Sequence, residues 1–396
     1  MRRYLQSLIL LACAPALGEP LIVDSHVDIP ITLGTTAADP GRDGPMQVDI
    51  PKMRRGGMDA AFLIVYVAQG ELDEASYSRA LGRAEDKFDA IERTLGRYPD
   101  QLRLATSPQA VREIIDGGRL AVAVGVENAY SLGPELQHLE RFYQRGARYV
   151  SLTHVGHNQF AGSSMARTES GWSGAEEAPG LSETGRRLVR ELNRLGMMVD
   201  VSHASVAATL EAAALSRAPV IASHSGARAV FDHPRNLSDE EIVAIAATGG
   251  VIQLVAFDSY MRHLSEDNAA AIAAIRADMG LEGEDWYLRA TEEQLAAMRG
   301  AINALDTQWP RATVATLVDH IDHVVKLVGV EHAGISSDFG GGGGVRGWDN
   351  AGETAAVTEE LARRGYSAEQ IQQIWGANLL RVWGEVEASA GADDPQ

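Results

Sequence analysis

The chain has 396 residues, room for one large α/β barrel or roughly two to three smaller domains, and its 45% hydrophobic and 22% charged residues are ordinary for a globular protein. A formal net charge of −19 argues against a nucleic-acid partner, which needs a basic face, and no long basic run or stacked-aromatic pattern offsets it. The single cysteine, Cys13, excludes an intrachain disulfide.

In chain order, Met1-Arg-Arg-Tyr carries two positive charges, Ser7 to Leu17 is apolar, and small residues recur at Ala12, Ala14, Ala16 and Gly18. Residues 1–18 therefore read as a signal peptide, too short for a membrane span, which needs about 20 apolar residues. Leu10-Leu-Ala-Cys13 also resembles a bacterial lipoprotein cleavage box, which would make Cys13 the lipid-bearing residue. The expectation is an exported chain, periplasmic or secreted, with Cys13 as the candidate membrane anchor. Residues 19–385 form the expected folded unit and 386–396 a polar tail.

Apolar, β-branched runs then recur at Leu21–Val23, Ala60–Val67, Leu120–Val126, Tyr149–Leu152, Met197–Val201, Val220–Ala222, Gly250–Ala256 and Ala333–Ser336. Helical patterns fall between most of them, at Glu74–Leu95, Pro108–Asp116, Leu136–Arg145, Ser182–Leu195 and Val206–Leu215. In the fourth, Ser182 can cap, Leu188, Val189, Leu192 and Leu195 form a stripe, and Gly196 stops the helix. Near-continuous apolar strands alternating with helices argue for a parallel sheet, and eight of them for a closed (β/α)8 TIM barrel. Residues 160–181 read as a surface loop at the barrel mouth. Residues 257–330 are too long for one crossover; helical patterns at Asn268–Met279, Glu292–Leu305 and Val314–Val328 give an elaborated βα loop followed by the seventh barrel helix. Glu353–Arg364 and Ile371–Trp383 read as closing helices, the last begun by a capping box at Ser367-Ala-Glu-Gln370.

In such a barrel catalytic groups sit where strands end, at the C-terminal face. The first run leads into Asp24-Ser-His-Val-Asp28, and on an extended segment His26 and Asp28 point the same way. Alone, the pair is as well explained by a turn cap. Further ends are Glu127 on strand three, His154 on four, His203 on five, His224 on six and Asp338 on eight. Six of eight strands converging ionisable groups on one mouth would be costly without a cation. Five strong candidates (His26, Asp28, Glu127, His203, His224) exceed the roughly three protein ligands of a catalytic zinc, so two metals fit better than one. A carboxylate can bridge ions about 3.5–4 Å apart, and Glu127 is the natural bridge. Bridging by a carboxylated lysine does not fit, because none of Lys52, Lys87 and Lys326 lies at a strand end.

These residues, in this order, resemble the renal (membrane) dipeptidase family of zinc peptidases, in its bacterial branch. The resemblance runs from about residue 21 to 384, through Asp24-Ser-His-Val-Asp28, Gly125-Val-Glu127, Leu152-Thr-His154, Asp200-Val-Ser-His203, Ala222-Ser-His-Ser225, Pro234-Arg-Asn236 and Ser337-Asp-Phe339. It implies two zinc ions per chain, one on His26 and Asp28, the other on His203 and His224, bridged by Glu127 and a water or hydroxide. It implies that His154 stabilises the tetrahedral intermediate and binds substrate, that Asp338 handles protons, and that Arg235 holds the substrate's C-terminal carboxylate. The family cleaves free dipeptides, tolerates a D-residue on the C-terminal side, and in some members opens β-lactams; a homodimer is expected from it.

One departure stands out. The family has Asp-Phe-Asp-Gly after strand eight, whereas Asp338-Phe-Gly340 here begins a run of five glycines, Gly340 to Gly344. The first acid is kept; the loop behind it loses a carboxylate and is expected to be more flexible. Two rival functions stay open: another metal-dependent amidohydrolase acting on a cyclic amide, lactone or β-lactam, and a zinc-binding homologue with little turnover. Arg235 favours dipeptides over nucleobases. His320 and His323 sit mid-helix and read as structural, and His157 follows His154 in a loop.

Overall fold

The computed structural model describes residues 20–168, 171–174, 178–282 and 290–391. Residues 1–19, where the signal peptide and the Cys13 anchor are expected, and the end of the tail lie outside the described residues. Eight strands follow the order read from the sequence: β1 (Ile22–Asp28), β2 (Met58–Tyr66), β3 (Leu120–Glu127), β4 (Ala147–Ser151), β5 (Met198–Asp200), β6 (Val220–Ser225), β7 (Val251–Val255) and β8 (Ala333–Ser336). Each pairs in parallel with the next. Between β8 and β1 the barrel is drawn nearly shut by single contacts. The Asp28 N–H donates to Phe339 O at 2.8 Å, Asp338 N–H to His26 O at 3.2 Å, and Ser337 N–H to Asp24 Oδ1 at 3.1 Å.

The surrounding helices are α1 (Ile50–Gly56), α2 (Glu74–Arg97), α3 (Pro108–Asp116), α4 (Leu139–Gln144), α5 (Glu183–Leu195), α6 (Val206–Leu215) and α7 (Asp239–Ala247). Then come α8 (Glu266–Asp278), α9 (Glu292–Ala304), α10 (Val314–Val328), α11 (Ala355–Arg363), α12 (Ala368–Gln372) and α13 (Asn378–Ala388). The caps follow local chemistry: Ser182 accepts from Gly185 N–H, Gly196 closes α5 in the left-handed region, and Ser367 and Gln370 form a full capping box. The 160–181 stretch is more than a loop, since Met165–Thr168 pairs antiparallel with Gly171–Gly174. The last helix is also not continuous. A π-helical turn, Gln373–Ala377, joins α12 to α13 and brings Gly376 against β1, where a Cβ would come within 2.8 Å of Leu21 O.

Side chains alternate between two apolar clusters. Ala60, Phe62 and Ile64 of β2, with Tyr149 and Trp383, belong to one; Ala61, Leu63 and Val65 belong to the other. The first fills the barrel and is floored by α13, with Trp383 5.4 Å from Phe62; the second lies between strands and helices. Along β1 the alternation breaks. Val23 faces the interior, yet Val27, four residues on, joins Ile22 on the helix side, because the register slips between Asp24 and Val27. This bulge turns His26 and Asp28 into the mouth.

Among the buried polar groups, His320 of α10 is fully enclosed, and its Nδ1 accepts the Ala227 N–H at 2.9 Å. Burial lowers it from its ordinary 6.5 to about 4. The unfolded chain takes up this proton first, so the neutral ring's stabilisation is complete above about pH 6.5 and is lost as pH falls toward 4. His320→Gln, which cannot titrate, is expected to flatten the acid side of the stability profile by on the order of 3 kcal/mol. Urea midpoints measured from pH 7 to pH 4 check this; parallel profiles for the two proteins would refute it.

Candidate metal centre

Five of the expected ligands meet at one point. His203 Nε2 and His224 Nε2 each lie 3.2 Å from Glu127 Oε1 and 2.9 Å from one another. On the other side, His26 Nε2 is 3.5 Å from both Glu127 Oε2 and Asp28 Oδ2. Donor atoms fall into three overlapping sets, each spanning no more than 4.8 Å: His26, Glu127 and His224; Glu127, His154 and His203; His26, Asp28 and Asp338. Glu127 belongs to two of them and has one oxygen toward each side, as a bridging carboxylate requires.

Strand ends place these groups and some of their backbones are strained. His203, Asp338 and Asn128, which follows Glu127, have φ of 68°, 54° and 74°. Such left-handed non-glycine residues cluster at functional sites. A register slip in β6 between Ala222 and Ser225 re-aims His224 as the β1 bulge re-aims His26.

Hydroxyls behind the ligands set their protonation. Tyr149 Oη donates to Ser25 O at 3.1 Å, so at 3.0 Å it accepts from His26 Nδ1. Ser223 Oγ donates to Asp200 Oδ2 at 2.6 Å and accepts from His224 Nδ1 at 2.8 Å. Both imidazoles therefore keep a proton on Nδ1 and turn Nε2 to the centre. The ring of Tyr149 also explains Gly125, where a Cβ would come within 2.2 Å of it.

Electrostatics follow the same geometry. Burial opposes ionisation of Glu127, but positive charge on the imidazoles around it, His26 first and then His154, holds it well below the carboxylate range. Burial, then neighbouring positive charge, pushes His203 and His224 well down. Burial drives Asp338 well up, helped by Asp28 and Glu127 against the pull of His26.

The other expected residues ring this cluster. His154 Nε2 is 3.9 Å from Glu127 Oε1, and its Nδ1 faces Tyr66 Oη at 3.4 Å. Arg235 is buried beneath, with Nη1 on Ser225 Oγ at 2.8 Å, Nη2 on His224 O at 2.5 Å, and Nε without a partner. His157 is used within its loop, accepting from Ser163 N–H at 2.9 Å. His323 pairs with Asp239 at 2.7 Å, and neither it nor His320 joins the centre. Three neighbours were not singled out from the sequence: Tyr66, Tyr149 and Lys87. Lys87 reaches the mouth from α2, donating to Ile29 O at 2.6 Å beside Asp28 and Glu127. The glycine run, expected to be loose, is pinned. Gly340 N–H donates to Gln47 Oε1, Gly343 N–H to Asp338 O and Gly344 N–H to Ala256 O. A Cβ on Gly341 would lie 2.4 Å from the carboxylates of both Asp28 and Asp338. Side chains are excluded there by the acids themselves.

The family model described as membrane dipeptidase, peptidase family M19, matches residues 15–394. The chain belongs to the membrane dipeptidase family. Among solved structures, the probable dipeptidase PvdM of Pseudomonas aeruginosa is similar at 36% identity and a TM-score of 0.79, over 94% of this chain and 96% of that one. Dipeptidase verJ of Clonostachys rogersoniana is 30% identical over 346 residues, 86% of this chain and 76% of that protein. Dipeptidase aclJ of Aspergillus oryzae is 29% identical over 349 residues, 86% and 70% of the two chains. The membrane dipeptidase fold is thus a metallo-dipeptidase scaffold, and the donor set fits a bound cation. His26 Nε2 and Asp28 Oδ1 are buried without hydrogen-bond partners within a cluster of imidazole and carboxylate donors, the ligand types that hold a cation.

Removing the hydroxyl behind His26 tests this arrangement. Tyr149→Phe keeps the ring and is expected to weaken zinc affinity by about 10–100-fold. Chelator competition reads it directly, and wild-type affinity in the variant would refute the orienting role.

Proposed function

We propose that this membrane dipeptidase is a binuclear zinc enzyme that hydrolyses free dipeptides and tolerates a D-residue at the C-terminal position. The observation that carries the reading is the meeting of His203, His224 and His26 on the two oxygens of Glu127. His26 and Asp28 would hold one ion, His203 and His224 the other, with Glu127 between. When bound, the ions supply Lewis acidity and bring the proton loss of water near neutral pH.

The remaining steps belong to side chains. Asp338, whose carboxyl burial drives upward, would take the attacking water's proton and pass it to the leaving amine. His154 would donate from Nε2 to the developing oxyanion, a role supported by Tyr66 Oη facing Nδ1. Arg235 would bind the substrate carboxylate; its Nε is free, and its two Nη groups are fixed by Ser225 and His224 O. That anchor favours free dipeptides over longer chains.

The test is hydrolysis of a panel of L,L- and L,D-dipeptides with and without chelator. Turnover that is lost on chelation and restored by zinc is expected. Asp338→Asn should keep both zinc ions and lower kcat by about 10²–10⁴-fold. Zinc-loaded protein inactive on every dipeptide would overturn the reading, and unchanged kcat in the variant would remove Asp338 from it.

A further inference from the structure

The cavity over the metal centre is larger than a small dipeptide needs, and its far half carries an apolar stripe. It encloses about 880 Å³, near the top of the roughly 300–1,000 Å³ that sites for drug-sized ligands span. One end is walled by the metal-centre side chains, including Asp28, Glu127 and Asp338. The other lies under α8 and α9, which line it with Ala269, Ile272, Ala273, Leu295, Met298 and Ile302, flanked by Arg276, Glu292 and Arg299. The spacing of the apolar residues, three to four apart, puts them on one face of each helix.

Such stripes ordinarily bury against a core. Here, among the described residues, no residue of α8 or α9 belongs to either apolar cluster of the barrel, although Met298 is only 7% exposed. Polar contacts hold the two helices instead, α8 through Arg262 Nη1, which donates to Asn268 Oδ1 at 3.2 Å. Arg299 donates to Pro45 O at 2.7 Å, and just after α9 Arg311 grips both oxygens of Asp349 at 2.8 and 3.1 Å. The Ala312 N–H donates to Asp258 Oδ1 at 2.7 Å. Their apolar undersides are left to roof the cavity. Ile31 on its wall, 42% exposed, continues the apolar surface outward.

We infer that the substrate is a dipeptide carrying a bulky apolar group, and that the underside of α8 and α9 is the surface that selects it. The inference rests on the dipeptidase reading of the same cavity. A dipeptide of small residues would leave this roof wet, whereas a large aromatic or aliphatic group would remove it from water.

Steady-state kinetics with Ala-Ala, and with Trp or naphthylalanine in place of either residue, test it. The zinc-loaded enzyme is expected to favour a bulky member by about tenfold or more in kcat/KM. Ala273→Trp, which fills the space from an exposed helix position, and Ile272→Asn, which makes the roof polar, should each shrink that preference. Equal kcat/KM across the panel, with Ala-Ala turned over normally, overturns the inference and leaves the dipeptidase reading intact. Calorimetry on the zinc-loaded Asp338→Asn variant reads binding apart from turnover. There the bulky dipeptide should bind about tenfold tighter than Ala-Ala, and no difference overturns the proposal even if nothing is cleaved.

Discussion

One carboxylate, Glu127, sits where three imidazoles converge, and the rest of the structure serves to keep it ionised in a buried place. Burial alone would protonate it. The barrel prevents this by bringing His26, His203 and His224 from β1, β6 and the turn after β5 to within 3.5 Å of its two oxygens. A parallel barrel does this more readily than an open sheet, because all strands end on one face. Regular strands would still not suffice. Bulges in β1 and β6 turn His26 and His224 inward, and left-handed backbone at His203 sets the third ring. Each of these three departures falls within a few residues of a ligand, where it carries out a placement that alternation cannot.

That distribution explains what could be read from residues alone. Strand order, helix caps and the strand-end acids and histidines were legible, because each depends on a short stretch: Ser182 and Gly196 around α5, or Val150-Ser-Leu-Thr-His154 before a turn. Tyr149, Tyr66 and Lys87 were not. Tyr149 looks like any core aromatic until His26, 123 positions away, meets its hydroxyl. Lys87 lies mid-helix, and only the docking of α2 reveals that its amine reaches Ile29 O. The glycine run failed differently. Glycine permits freedom in a free loop, but beside Asp28 and Asp338 it marks backbone packed too close to admit a side chain, and hydrogen bonds to Gln47 and Ala256 fix it.

With two ions bound as proposed, the same juxtapositions would give the mouth a charge character opposite to that of the molecule. The chain carries −19 overall, and its centre gathers Asp28, Glu127 and Asp338 beside two buried basic side chains, Lys87 and Arg235, both pushed down by burial. Two divalent ions would more than neutralise the three carboxylates and leave both cations in excess. A locally positive, buried mouth in an acidic surface would focus the field inward. On the proposed reading a free dipeptide would be drawn by its carboxylate toward Arg235, with its amide over the ions. Glycine at position 340 answers to packing at the same place: a Cβ there would come within 2.3 Å of the Asp28 backbone oxygen.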